Sequence, residues 1–182
     1  IEVPMTNVFD ELINVLPPVE DETMRDMALV NTRARLRMTT LYYFAAYKNH
    51  LVLGTGNKVE DFGIGFFTKY GDGGVDLSPI ADLTKTEVYA LGHELGVNDT
   101  ILEAPPTDGL WHDDRTDEDQ IGASYPELEW AMEFRGDENA LSEREREVLS
   151  IFRKLNSSNR HKMEPIPVCR IPDALLNNVS YR

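Results

Sequence analysis

Apolar residues recur at spacings of three and four from Met27 through Val30, Ala34, Met38 and Leu41 to Ala45. On a 3.6-residue repeat these positions share one face, so the pattern predicts a long amphipathic helix over 22–49 with its stripe against a core. Arg35 stands beside that stripe, flanked on the helix surface by Asn31 and Met38. A side chain of that length either reaches into a cleft or snorkels along the core edge. Upstream, Val8 to Leu16 reads as a short helix broken by Pro17-Pro18. Downstream, Leu51-Val52-Leu53 is an apolar run stopped by Gly54, the pattern of a buried strand in a parallel sheet. Thr84-Lys85-Thr86-Glu87, Ser124-Tyr125-Pro126-Glu127 and Ser142-Glu143-Arg144-Glu145 each have capping-box spacing and predict helix starts. The first helix runs through Tyr89, Leu91 and Leu95 to Gly96; the others reach Phe134 and Leu155. The fold class is α/β, with helices dominating. No internal repeat is present, and no linker is long enough to separate the chain into two domains.

Composition narrows this picture only at its edges. The 182 residues, 41% hydrophobic and 27% charged, suffice for a core and exclude a disordered or fibrous chain. The net charge of −14 argues against a nucleic-acid or anionic-membrane partner, either of which favours a basic face. A phosphorylated ligand stays compatible, because a few lysines in one cleft can hold it. The longest aliphatic and aromatic run, Leu41 to Tyr47, is too short for a spanning helix. Cys169 is the only cysteine and can form no internal disulfide, which suits a reducing, cytoplasmic setting.

Residues 54–74, GTGNKVEDFGIGFFTKYGDGG, hold seven of the twelve glycines. Such density forfeits backbone entropy and side-chain packing, so it predicts a need for bare backbone. Thr55 follows the expected strand, where ligands of open α/β sheets bind. Glu60, five residues on, is either a hard oxygen ligand for Mg²⁺ or part of a helix cap formed by Asn57 to Asp61. Lys69 precedes a sharp glycine turn able to present N–H groups to an anion; an exposed lysine beside a turn is the plainer alternative. Lys85 opens its helix, where a cation opposes the helix dipole. A phosphate held there would offset that cost.

Other patterns carry less. Gly73-Gly74-Val75-Asp76-Leu77-Ser78 imitates the SGGxDS loop that grips pyrophosphate, but Leu77 is inserted and Pro79 follows. The histidines show no metal spacing, and His112-Asp113-Asp114 sits in an acidic loop, Trp111 to Gln120, of the kind that is usually solvated. Cys169 lacks a base at matching spacing, and His161-Lys162 alone reads as surface.

Taken in order, NTRARLRM (31–38), LVLGTGNKVEDFGIGFFTKYGDGGVDLSPIADLTKTEV (51–88), APPTDGLW (104–111), TDEDQIGASYPELE (116–129) and RHKMEPIP (160–167) resemble NAD⁺ synthetase of the ammonia-dependent type. The resemblance implies a Rossmann-like, adenine nucleotide alpha hydrolase-like fold with a three-layer parallel sheet. It implies amidation of deamido-NAD⁺ with ammonia through an adenylate, with ATP split to AMP and pyrophosphate. By motif, Thr55, Lys85 and Thr107 would contact ATP, and Glu60 would hold Mg²⁺, with Lys85 and Glu60 the catalytic pair. Arg35, Lys69, Asp76, His161 and Lys162 would contact deamido-NAD⁺. PPTDG stands here where PTADL is commoner, so Thr107 is aligned through the Leu-Trp that follows. A homodimer is also implied, with the 22–49 helix and its Tyr42-Tyr43-Phe44 as the interface.

In that family SGGxDS lies N-terminal to every segment quoted. Residues 1–182 therefore read as the C-terminal two-thirds of one synthetase domain, truncated at the N-terminus and, alone, of little or no activity. Two further readings stay open: a non-catalytic nucleotide-binding or dimerising remnant, and another amide-forming ATP pyrophosphatase such as a GMP synthetase.

Overall fold

The computed structural model describes residues 1–111, 113 and 115–176. Helix α1 spans Thr6–Val15 and α2 spans Glu22–Lys48. Asp21 caps α2 by accepting from the Met24 N–H at 3.0 Å, and Asn49 ends it in the left-handed region at φ 54°. The predicted stripe is only partly buried. Val30, Ala34 and Ala45 are buried, but Met27 and Leu41 are exposed. Leu110 and Trp111 pack on Val30 and Ala34, and Met27 and Leu41 lie outside that cluster.

The expected strand at Leu51–Leu53 does not form, and the described residues contain no sheet. Leu53 makes a single parallel bridge to Leu77. Around it the Gly54 N–H donates to the Leu77 carbonyl at 2.7 Å, and the Asp76 N–H to the Val52 carbonyl at 2.9 Å. Val52 is buried while its neighbours Leu51 and Leu53 are 68% and 59% exposed. A parallel ladder needs further strands and a covered face on each side, and no described segment supplies them. What survives is the crossover. Parallel segments require a long connection between them, and the glycine-rich stretch is that connection.

Within it lies a π-helix, Val59–Ile64, a geometry frequent at functional sites. Asn57 is buried and starts it, its Oδ1 accepting from the Val59 and Glu60 N–H groups at 3.0 and 3.1 Å. Helix α3 follows at Lys85–Glu94, α4 at Asp99–Leu102, α5 at Asp117–Ile121 and α6 at Tyr125–Glu133. A 3-10 turn at Glu138–Ala140 leads to α7, Glu143–Met163, and α8 is Asp173–Leu176. All three predicted capping boxes are present. Thr84→Ala should lower stability by about 1 kcal/mol in urea denaturation, the usual worth of such a cap.

The main core joins the π-helix to α5, α6 and α7. Val59, Ile64 and Leu128 are wholly buried, with Ile121, Ala131, Val148 and Leu149 around them. Each buried valine, leucine or isoleucine among them contributes about 1.5–3 kcal/mol. Helix α7 runs two turns past the expected Leu155, and the extension has a role. Asn156, Asn159 and Lys162, one turn apart, donate to the carbonyls of Gly63 at 2.7 Å, Ile64 at 2.8 Å and Gly65 at 2.9 Å. These carbonyls close the C-terminal end of the π-helix, where no intrahelical donor is left. No helix among the described residues is long and apolar enough to cross a membrane.

Candidate active-site cleft

Two adjoining cavities of about 600 and 320 Å³ open beside the Leu53–Leu77 bridge, sharing Gly54, Thr55, Glu60 and Asp72 in their walls. The larger is lined by Thr55, Lys85 and Thr107, the residues expected to meet ATP, by Glu60, expected to hold Mg²⁺, and by Asp108 and Asp117. Its volume is within the range of small-molecule sites. Chain folding achieves this convergence in three steps. The π-helix presents Glu60, the first residue of α3 presents Lys85, and the 105–110 loop is tied across α2. Arg37 donates to the Asp108 and Gly109 carbonyls at 3.5 and 3.2 Å, and Arg33 to the Leu110 carbonyl at 3.3 Å.

The centre of the cleft is a compact polar cluster. Lys85 Nζ donates to Glu60 Oε1 at 3.2 Å, with both side chains at most one-fifth accessible. The Tyr125 hydroxyl donates to the same oxygen at 2.5 Å and lies 3.4 Å from Asp117 Oδ2. Lys85 Nζ also sits 4.6 Å from the Tyr125 ring centroid. Burial, then the Glu60 carboxylate, pushes the phenol pKa well up, so Tyr125 keeps its proton. Asp117 is buried, and its Oδ1 has no hydrogen-bond partner. Burial first, then Asp108 and Glu60, raises its pKa. The dipole cost assigned to Lys85 is thus offset in the protein itself by Glu60 and the Tyr125 face.

A second set assembles where α2, the glycine turn and the end of α7 meet. Arg35 Nε donates to the Lys69 carbonyl at 3.2 Å, and Lys69 Nζ to the His161 carbonyl. The His161 side chain is exposed. Lys162 points inward to the Gly65 and Phe67 carbonyls at 2.9 and 2.7 Å, lines the smaller cavity, and has its pKa lowered by burial. Asp76 is held apart from them, accepting from the Tyr42 hydroxyl at 3.0 Å and the Val52 N–H at 2.9 Å. His112 and Asp114 of the acidic loop lie outside the described residues.

Sequence patterns missed Asp61, Asp117 and Tyr125. Asp117 and Tyr125 look like ordinary first-turn residues of capped helices, and no local signal marks them as buried. Asp61 lies over Gly56, where a β-carbon would fall 2.1 Å from Asp61 Oδ1. Gly56 is therefore bare to admit a carboxylate of this chain. Burial first, then Glu60 and Asp72, moves the Asp61 pKa from 3.8 up to about 6. The folded state then binds more protons than the unfolded one between these values, so stability falls as pH rises through that window. Asp61→Asn should gain about 1 kcal/mol after allowance for solvent screening, with the full gain above about pH 6 and none below about pH 4. Urea midpoints at both ends check this; an equal gain at low pH would refute it.

Residues 3–166 match the family described as NAD synthase. The chain belongs to that family. It is 39% identical over 162 residues to the NH(3)-dependent NAD(+) synthetase of Carboxydothermus hydrogenoformans, covering 89% of this chain and 63% of that protein. It is 42% identical over 165 residues to the synthetase of the same description from Alkaliphilus metalliredigens, covering 88% and 63%. This member of the NAD synthase family thus spans less than two-thirds of these relatives. Among solved structures, the NMN synthetase from Francisella tularensis superposes with a TM-score of 0.78 at 28% identity, over 93% of this chain and 66% of that one. The helix-rich portion seen here, without strands among the described residues, also resembles the NH3-dependent NAD synthetase from Campylobacter jejuni, with a TM-score of 0.67 at 25% identity over 92% of this chain and 64% of that one.

Proposed function

We propose that this chain forms the ATP and dinucleotide platform of an ammonia-dependent NAD⁺ synthetase, which amidates deamido-NAD⁺ by way of an adenylate. One observation carries the reading: Thr55 and Glu60, Lys85, and Thr107, from three separate stretches of the chain, line one cavity of about 600 Å³. The nicotinate carboxylate attacks the α-phosphorus of ATP, the acyl-adenylate forms and pyrophosphate departs. Ammonia then adds to the acyl carbon, loses a proton, and AMP leaves with the C–O bond electrons. An anion approaching a triphosphate is opposed by charge. Lys85 offsets that repulsion, while the Thr55 and Thr107 hydroxyls orient the nucleotide. Arg35, Lys69, Asp76, His161 and Lys162 bind deamido-NAD⁺. No residue need form a covalent intermediate.

The cleft suits Mg²⁺, which takes one or two carboxylates and completes its shell with phosphate oxygens and water. No group of three ligating side chains is found among the described residues, and such a site does not need one. Glu60 would hold the ion, with the unpartnered Asp117 Oδ1 facing the same acidic wall. Bound there, Mg²⁺ would neutralise phosphate charge as pyrophosphate leaves.

A homodimer through α2 fits the same reading. Leu41, Tyr43 and Tyr47 are 56%, 67% and 71% exposed on that helix. In the assembled enzyme the three-layer parallel sheet would cover Leu51 and Leu53, and the cytoplasm would be the setting.

Isothermal calorimetry tests the platform directly. The chain should bind ATP with Mg²⁺ and bind deamido-NAD⁺, and Lys69→Ala or Asp76→Ala should weaken only the dinucleotide, by about tenfold or more. Tighter binding of nicotinate mononucleotide than of deamido-NAD⁺ would move the assignment toward the activity named for the Francisella protein. Binding of neither nucleotide would sink the reading.

A further inference from the structure

Tyr70 holds a backbone conformation that tyrosine avoids. Its φ is +63°, and the other left-handed non-glycine among the described residues is Asn49, at the C-cap of α2, where asparagine is common. A β-carbon in that region is crowded by the carbonyl oxygen that follows it, and a bulky side chain there is an outlier. Gly71, Gly73 and Gly74 lie within the next four residues, and none of them is left-handed. They answer to close approach instead. A β-carbon at Gly71 would fall 2.9 Å from the Ala34 β-carbon, and one at Gly73 would fall 2.3 Å from the Phe67 ring. The turn thus has glycine beside its strained position and tyrosine on it.

The flanks fix that conformation. Thr68 is buried, and its carbonyl accepts from the Gly71 and Gly73 N–H groups at 2.9 and 3.3 Å. Its N–H donates to Asp72 Oδ1 at 2.9 Å and its hydroxyl to Asn31 Oδ1 at 2.7 Å, which ties the turn to α2. Arg35 holds the Lys69 carbonyl. Burial offsets little of the strain, because Tyr70 is 54% exposed. An outlier held by its surroundings, with its side chain left open, points to function rather than packing. The ring centroid lies 5.6 Å from Lys69 Nζ, so a flat apolar face stands beside a cation.

We propose that Tyr70 is a ligand-binding residue whose ring stacks on a planar heterocycle of bound dinucleotide, while Lys69 takes an adjoining anionic group. The inference rests on the dinucleotide reading above for the identity of the ligand. Aromatic rings attract in offset contact, and stacking on a side chain is a recurrent way of holding a base. The nicotinate and adenine rings both present such a face, each joined through ribose to phosphate. Tyr70 stands outside the walls of both cavities, so ATP in the larger one does not need it.

The deciding variant is Tyr70→Gly, which removes ring and strain together, so stability and binding should move in opposite directions. Its thermal midpoint should rise by about 1–3 °C, since the strain relieved exceeds the chain flexibility that glycine adds. Deamido-NAD⁺ affinity in calorimetry should fall about tenfold, the scale of one lost stack, with ATP affinity within about twofold of the parent. Tyr70→Phe retains the face and should bind like the parent. Tyr70→Asn also tolerates the left-handed region and should lose the same affinity without loss of stability, which decides the matter if the glycine variant does not fold. Nicotinate mononucleotide assigns the ring: a parallel loss puts the tyrosine on the pyridine, and a loss for the dinucleotide alone puts it on adenine. Either result supports the stack. A lower midpoint in both variants would make the ring a packing strut, and unchanged dinucleotide affinity would leave it without a ligand; each overturns the proposal. So would a Tyr70→Phe chain that binds as weakly as Tyr70→Gly, or dissociation of the chain's own oligomers with the dinucleotide still bound. Should the parent bind the mononucleotide and not the dinucleotide, the synthetase reading falls, and Tyr70→Gly decides the stack on the mononucleotide. Binding of neither overturns both.

Discussion

Lys85→Met is expected to weaken ATP binding by about a hundredfold while leaving the protein folded, the size of effect that follows from losing a charge-assisted contact in a half-buried site. The walls around this lysine are acidic: Glu60, Asp72, Asp108 and Asp117 all line the larger cavity. The other cation in that wall, Arg37, is committed to the carbonyls of Asp108 and Gly109. Without the ammonium a triphosphate would meet carboxylates almost alone, so methionine, similar in length and uncharged, isolates the charge. Calorimetric titration with ATP and Mg²⁺ measures the loss. An affinity within about threefold of the parent would show that phosphate binds elsewhere.

Gly65→Ala should destabilise the protein by about 2–4 kcal/mol, from left-handed backbone strain added to overpacking. Gly65 has φ +62°, and a β-carbon there would fall 2.5 Å from the Asn159 β-carbon. Relief requires moving α7, whose Asn156, Asn159 and Lys162 are bonded to the end of the π-helix. The same displacement would carry Lys162 off the Gly65 and Phe67 carbonyls and disturb the end of α7 that supplies His161. Urea unfolding gives the stability change, and deamido-NAD⁺ titration the functional one. A variant as stable as the parent would mean that the crossover tolerates a side chain where it abuts α7.

The glycine-rich stretch shows how far local pattern carries. Its density marks a place where bare backbone is needed, and Gly56 and Gly65 bear that out. Their neighbours, however, are Asp61 and Asn159 of this same chain, not a ligand. Capping boxes at Thr84, Ser124 and Ser142 are legible because the donors and acceptors lie three residues apart. The strand expected at Leu51–Leu53 is absent because an apolar run states a preference for burial but supplies no partner strands. Asp117 and Tyr125 are illegible for a related reason: their burial is imposed by α6 packing on the π-helix, and no neighbour in sequence reports it.

By itself, then, the sequence determined the longer helices, three of their caps and the motif order by which the chain matches the NAD synthase family. Those depend on interactions within a few residues, or on motif order. Only the tertiary structure decided that Thr55, Glu60, Lys85 and Thr107 share one cavity, that Tyr125 and Lys85 meet on a single oxygen of Glu60, and that α7 closes the π-helix. These are contacts between segments far apart along the chain, set by burial of Val59, Ile64 and Leu128 in one core. Burial is a property of the packed whole, and no short stretch of residues carries it.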